Sequence, residues 1–356
     1  MIRPLRLASV AAALLVVAGG LAACGTTQVA DTTPSAAADA TSASCADDTT
    51  TTATGPVTLT DGVGRTVTLD APAKRVAVLE WQQIEDALTL CVTPVAVSDA
   101  AGYAVYDTAE TLPEGVTDIG TRGEPDLDAL YAAKPDLIIV EAFSADDDTL
   151  KQLEKRDVPV LATLGADGAD PIGNMKDVFS MIATATGRTD RAAQVLDEFD
   201  AHLAKAKAQL ADATLATTDF LFFDGWIEGG NVVIRPYSTG SLFTALGEEL
   251  GLTAAWTDEI NSAYGDGGVD PAYGLAQTDI EGLTAVGSAN LFYSDDDTPD
   301  SYVTELKKNS IFTSLPAVKE GRAHAFPSGV WGAGGPRSCE QAIDAYVDAL
   351  SAANQG

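Results

Sequence analysis

Tryptophans follow three predicted strands of this chain, where bound ligands are usually found in α/β proteins. Trp81 comes after the apolar run Val76–Leu79, and Trp226 comes after Phe220–Phe223. Trp331 lies in a glycine-rich loop after the last predicted strand. Because ligands of open α/β sheets bind beyond the carboxyl ends of the strands, the three tryptophans together predict an aromatic-walled cleft. Each tryptophan taken alone is also explained by packing in the core.

Arginines stand near the same strand ends. Arg122 lies in the loop before a predicted short helix, and Arg235 directly follows the predicted strand Val232–Ile234. As a pair they would hold an anionic or oxygen-rich ligand from both sides, and Arg337 is a third candidate. In a chain with 52 acidic and 21 basic residues, a surface ion pair remains the alternative explanation for each arginine.

The sequence contains no recognisable catalytic pattern. Its two histidines, His202 and His324, are dispersed on a predicted helix and a predicted strand, without a triad partner or metal-ligand spacing. Neither a nucleophile elbow nor a phosphate-binding loop is present. We therefore expect a binding protein with no metal site and no intrinsic cofactor. A secreted α/β hydrolase is a remote alternative.

One unit of the chain occurs twice. Asp118–Val140 is predicted to form a loop, a short helix and a buried strand, and the pattern returns in Thr278–Tyr293. Asp128 in the first copy corresponds to Glu281 in the second. A repeated unit predicts two similar lobes with a cleft between them.

The alternation of strands and helices predicts an α/β fold with mainly parallel central sheets. Between the two copies of the repeat, Asp190–Ala211 keeps apolar residues at helical spacing over many turns and is expected to be one long connecting helix. The predicted folded regions are an N-terminal lobe at 56–172, a helical connector at 173–212 and a C-terminal lobe at 213–356.

The N-terminus carries an export signal. Residues 1–23 contain a positively charged start and an apolar segment, and Leu21–Cys24 resembles a bacterial lipobox. That resemblance implies cleavage before Cys24, a lipid anchor on this cysteine and an extracytoplasmic location, the alternative being an ordinary signal peptide or membrane anchor. Residues 24–55 have almost no large apolar side chain and are expected to form a flexible tether.

Three further cysteines indicate a disulfide, and the net charge limits the kinds of partner that the protein could bind. Among Cys45, Cys91 and Cys339, an odd number for an oxidising compartment, we favour a Cys45–Cys91 disulfide with Cys339 free, and the other pairings stay open. The formal net charge of −31 argues against a nucleic-acid partner, because such proteins need a basic surface.

Most of the predicted folded region resembles bacterial ferric-siderophore binding proteins, with the ferrichrome-type hydroxamate binders most similar. The family's implied fold is two α/β lobes joined by one long helix, and its implied function is to deliver a ferric siderophore to a membrane importer driven by ATP. The protein would work as a monomer with a permease and its ATPase subunits. The resemblance lies in the segments RVAVLEWQQIEDAL, VTDIGTRGEPDLDALYAAKPD, GSLFTALGEELGLTAAW, AYGLAQTDIEGL and VWGAGGPRS.

By position, the resemblance implies roles for single residues. Arg122 would bond the iron-binding oxygens, while Tyr273 and Trp331 would be aromatic side chains of the cleft. Asp128 and Glu281 would dock the two lobes to the permease. The chain has Cys91 where the family usually has glycine, and it lacks an evident first-lobe tyrosine for hydroxamate, so catecholate and carboxylate siderophores stay open.

An importer subunit for haem or a corrinoid is the alternative function. Haem would need an axial tyrosine or histidine, which Tyr264 or Tyr273 could supply.

Overall fold

The computed structural model describes residues 43–296 and 298–352. The predicted signal segment, the predicted lipid attachment site Cys24 and the predicted tether up to residue 42 lie outside these ranges. No helix within the described ranges combines the length and the apolar character needed to cross a membrane.

The first lobe is built on a parallel five-stranded sheet, preceded by an antiparallel hairpin. The strand order is β5-β4-β3-β6-β7, and every neighbouring pair in it is parallel. Helices cover both faces, so the strands are almost wholly apolar and buried. The elements are β1 (Val57–Thr60), β2 (Thr66–Leu69), β3 (Val76–Val78), α1 (Trp81–Thr89), β4 (Ala96–Val97), α2 (Ala100–Tyr106), β5 (Thr117–Asp118), α3 (Leu127–Ala132), β6 (Leu137–Glu141), α4 (Asp148–Leu153) and β7 (Val160–Thr163).

Two helices lead from the first lobe to the second. They are α5 (Pro171–Thr186) and α6 (Thr189–Ala211). Helix α5 has a proline in its first turn and ends at Gly187, which takes a left-handed conformation with φ of 72°. The 23 residues of α6 make a rod of about 34 Å. The predicted connecting helix is therefore present, one residue longer at its start.

The second lobe contains a mixed sheet. The strand order is β11-β9-β8-β12-β13, with β10 pairing to β8. The elements are β8 (Asp219–Glu228), β9 (Asn231–Tyr237), α7 (Leu242–Glu249), β10 (Thr253–Ala254), α8 (Asp258–Tyr264), β11 (Thr278–Asp279), a 3-10 helix (Ile280–Val286), β12 (Asn290–Tyr293), α9 (Tyr302–Leu306), α10 (Ser310–Ser314), α11 (Pro316–Lys319), β13 (Ala323–Ala325) and α12 (Pro336–Ala352).

Strands β8 and β9 form a long antiparallel hairpin, which differs from the prediction for this region. The register runs from Phe222–Tyr237 to Glu228–Asn231. Gly229 and Gly230 both have positive φ and make the two-residue turn that such a hairpin requires. Trp226 and Arg235 therefore lie inside strands and do not follow them.

The described end of the predicted tether is fixed to the first lobe. Cys45, at the end of a 3-10 turn (Ala43–Cys45), forms a disulfide with Cys91, the pairing favoured from the sequence. The guanidinium of Arg188 pairs with the Asp48 carboxylate, and the backbone N–H of Ala53 donates to the carbonyl of Gly187. Residues 43–55 are thus part of the folded unit, contrary to the prediction, because partners distant in sequence satisfy their polar groups.

Candidate functional site

A cavity of about 320 Å³ lies between the two lobes. The first lobe contributes residues that follow β3, β5 and β7 and the last residue of β6. The second lobe contributes part of β9 and the loop between β13 and α12. Its walls include two arginines, two tyrosines and one tryptophan, namely Arg122, Arg235, Tyr237, Tyr273 and Trp331. The cavity therefore collects several side chains that the sequence singled out.

Arg122 lies against two indole rings that contact each other. Its guanidinium carbon lies 3.8 Å from the ring centroid of Trp81 and 5.5 Å from that of Trp331. The two indoles contact each other edge to face at 4.8 Å. Trp81 is buried in the core of the first lobe, and Arg122 packs on its ring. Trp331 belongs to the second lobe. Arg122 also forms an ion pair with Glu80.

Arg235 is likewise paired with an acid. Its Nε donates to Oδ1 of Asp224 at 2.7 Å, and the hydroxyl of Tyr237 donates to Oδ2 of the same carboxylate at 3.1 Å. The two arginines do line the cavity from opposite lobes, but each already has a carboxylate partner. The cavity also contains Glu141 and Asp167, so it carries no excess of positive charge.

A hydrogen bond crosses the cleft at one end. The hydroxyl of Tyr273 donates to Oε1 of Glu141, the last residue of β6, at 2.9 Å. Burial, followed by the nearby carboxylate of Glu80, raises the pKa of Glu141 from 4.5 to about 7. Burial and the proximity of Glu141 raise the pKa of Tyr273, which keeps this phenol protonated as a donor.

The loop before α12 ties the second lobe to the first. The buried carboxylate of Glu85 accepts backbone N–H groups of Gly335, Arg337 and Ser338 at 2.8 to 3.0 Å, and the Ser338 hydroxyl at 2.7 Å. These donors belong to the start of a helix, where N–H groups have no partner within the helix. Glu85 on α1 therefore caps α12 across the lobe boundary.

Three of the predicted ligand-binding residues do not line the main cavity, and the first of them is the buried Trp81. Trp226, about one-third exposed, lines a neighbouring cavity and not the main one. Arg337 lines neither cavity and pairs with Glu198 at 2.7 Å and Glu340 at 2.8 Å. Arg337 therefore lies outside the cleft, because a carboxylate from α6 pairs with its side chain and holds it against the helices.

Three other predicted residues lie on the surface, namely the two docking acids and Tyr264, one of the tyrosines considered as a haem ligand. Asp128 and Glu281 are both exposed in the first turn of their helices, each following an aspartate N-cap. Tyr264 is exposed at the end of α8 and lines neither cavity.

Sequence reasoning missed the acids of the cleft. Glu80 directly precedes Trp81, and Glu141 ends the strand β6. Both positions are strand ends of the same parallel sheet, so the rule that identified Trp81 could have found them. Asp224 required knowledge of the β8–β9 register, in which it stands opposite Arg235. Within the described ranges, no group of three or more His, Cys, Asp or Glu side chains is placed to hold a metal ion.

Two α/β lobes, one long connecting helix and a cavity between the lobes define a two-lobed binding protein. The chain belongs to the periplasmic binding protein family, which it matches over residues 76–328.

Several known proteins are similar over most of their length. The "Probable siderophore-binding lipoprotein YfiY" of Bacillus subtilis is 26% identical over 295 residues, covering 81% of this chain and 85% of that protein. The iron(3+)-hydroxamate-binding protein FhuD of Escherichia coli is 24% identical, with 72% and 80% covered. The solved structure of FhuD from Vibrio cholerae bound to Fe3+–Desferal has a TM-score of 0.65 and 26% identity, covering 79% of this chain and 99% of that one.

Proposed function

We propose that this protein captures a ferric siderophore in the cleft and delivers it to an ABC importer. The similar proteins whose names specify siderophore or iron(3+)-hydroxamate binding support this function. Arg122, which lies against Trp81 and Trp331, gives the site a donor suited to the oxygen atoms that surround a chelated iron.

The charge of the cleft favours a hydroxamate siderophore, and this is the observation that carries the ligand class. Both arginines are paired with carboxylates, and Glu141 and Asp167 add further acid. Three hydroxamates neutralise Fe3+, whereas three catecholates leave the complex strongly anionic. Desolvating a highly anionic complex among carboxylates would be costly, so a neutral or cationic chelate fits better.

A fluorescence titration tests this proposal, because Trp331 lies in the wall of the cleft. We expect a ferric trihydroxamate to quench tryptophan emission saturably, and ferric citrate and a ferric triscatecholate to bind at least tenfold more weakly. Arg122→Ala should weaken hydroxamate binding by about 10- to 100-fold, the value of a charge-assisted hydrogen bond. Arg156→Ala is the matched control, since Arg156 lies over the ring of Tyr131 outside the cleft. Stronger binding of the catecholate complex would contradict the ligand class.

We further propose that Asp128 and Glu281 contact the permease, one acid from each lobe. Their exposure and their equivalent places in the repeated unit support this role. Cys24 would carry the lipid that holds a monomeric protein at the outer side of the cell membrane.

A further inference from the structure

The cleft continues beyond Trp331 into a second cavity of about 290 Å³. The two cavities share Arg235, Tyr237, Trp331 and Gly332 as walls. The second cavity also lies between the lobes, because helix α2 of the first lobe faces the β8–β9 hairpin of the second across it. None of the roles proposed for the main cavity uses this space.

Aromatic rings are exposed on both sides of the second cavity. Tyr106 on α2 is 45% exposed and Trp226 on β8 is 36% exposed. One face of Tyr106 stacks on Trp81 at 5.6 Å, and its remaining surface is open. Large exposed aromatic side chains that line one cavity are typical of a binding site, and their ring faces attract cations. The guanidinium carbon of Arg235 already lies 5.9 Å from the ring centroid of Trp226.

Acidic side chains provide the other half of the site. Asp224, Asp295 and Asp296 line the second cavity, and Arg235 is its one lining base among the described residues. Asp224 is paired with Arg235, and Asp295 accepts the Ser301 hydroxyl and lies 3.5 Å from the ammonium of Lys307. Counting Lys307, which lies just outside, the acids still exceed the bases by one.

We infer that the second cavity binds a positively charged arm of the siderophore, a protonated amine, while the iron centre occupies the main cavity. This inference rests on the proposed function. An alkylammonium combines an apolar stem, which the rings of Tyr106 and Trp226 would cover, with a charge that the ring faces and carboxylates attract. The site would therefore select among hydroxamate siderophores by the charge of the part that does not hold iron.

The test compares two ferric trihydroxamates that differ only at one end. Desferal ends in a protonated primary amine, and its N-acetylated form is neutral there but has the same iron-binding groups. We expect the wild-type protein to bind ferric Desferal about tenfold more tightly than the acetylated complex. In an Asp295→Asn, Asp296→Asn double variant, which removes two lining charges and keeps both rings, this preference should fall to about twofold or less, with the affinity for the acetylated complex unchanged.

The unchanged affinity for the acetylated complex shows that the double variant is folded. Glu228→Gln serves as the control, because Glu228 is an exposed acid at the end of β8, a strand that borders the cavity, and it does not line the cavity itself. Equal affinities of the wild-type protein for the two complexes would overturn the inference alone, as would a preference that survives in the double variant. Binding of neither complex would overturn the proposed function and this subsite with it.

Discussion

The cleft presents its charged side chains already paired and stacked. Arg122 contacts two indoles and a carboxylate partner, so few rotamers remain to be lost when a ligand binds. Ordering a long side chain on binding costs about 0.5–1.5 kcal/mol, and this arrangement avoids much of that cost. Glu141 is less well compensated than Arg122, because its contacts with Tyr273 and Arg122 only partly offset the effect of burial on its carboxylate.

The raised pKa of Glu141 predicts how the stability of the protein depends on pH. Its pKa is raised from 4.5 to about 7, so its contribution to stability is complete below pH 4.5 and is lost as the pH rises to about 7. Glu141→Gln keeps an uncharged group at every pH. We expect the thermal midpoint of the wild-type protein, relative to that of Glu141→Gln, to fall across this interval and to become level above it.

Thermal unfolding of both proteins between pH 4 and pH 8.5 measures the effect. Glu228→Gln makes the same chemical change at the exposed end of β8 and is the control. A difference between wild type and Glu141→Gln that stays constant over this range would show that Glu141 titrates normally.

At the scale of elements, the lobes are joined by polar contacts as well as by α6. Glu85 of α1 caps α12, and the backbone N–H of Thr108 donates to the carbonyl of Gly329 at 3.0 Å. Close packing permits the first contact, since a Cβ at Gly335 would come within 2.2 Å of the Asp86 carboxylate. The glycines of this loop therefore let the start of α12 approach α1.

Removing the cap should destabilise the fold. Glu85→Ala leaves four donors at the start of α12 without their acceptor in a buried place, so we expect a loss on the order of 3 kcal/mol in the free energy of unfolding. Glu198→Ala removes the partly exposed ion pair between Glu198 of α6 and Arg337 of α12. This change should lower the free energy of unfolding by less than about 1 kcal/mol. Urea unfolding measures both, and equal losses would contradict the capping role.

The strand end at Trp81 was predictable, because β3 is a buried apolar run. Arg122 follows β5, a strand of two exposed residues, and was found as an arginine in the loop before a predicted helix. The β8–β9 region was not predicted, because the Gly229-Gly230 turn was overlooked and the strands were taken as short. Ion pairs between residues far apart in the sequence could not be predicted either. The bond between Arg337 and Glu198 spans 139 residues, and that between Arg188 and Asp48 spans 140. Nothing local in the sequence marks such pairs.

At the scale of the whole molecule, the repeat gives each lobe an exposed acid on the helix or 3-10 helix before β6 or β12. We expect Asp128→Ala combined with Glu281→Ala to leave siderophore affinity unchanged and to abolish uptake of radioactive ferric siderophore by cells with the matching importer. Asp148→Ala combined with Asp258→Ala is the matched control, since both are exposed acids in the first turn of a helix. Normal uptake by the first variant would refute the docking role.

The two lobes and the long connecting helix were predicted, because helical spacing and the repeated unit are properties of the sequence itself, but the antiparallel β8–β9 hairpin of the second lobe was not. Closure between lobes joined by such a helix should be small, since α6 runs as one continuous helix of 23 residues. The ligand should therefore find the cleft nearly in its final shape.

The position of iron in crystals of the complex tests the central claim most directly. Anomalous diffraction at the iron edge, from crystals grown with a ferric trihydroxamate, should give one peak between the lobes, in the cavity lined by Arg122 and Trp331. An iron peak anywhere outside this cleft, or a cleft that stays without iron at saturating ligand, would contradict the account.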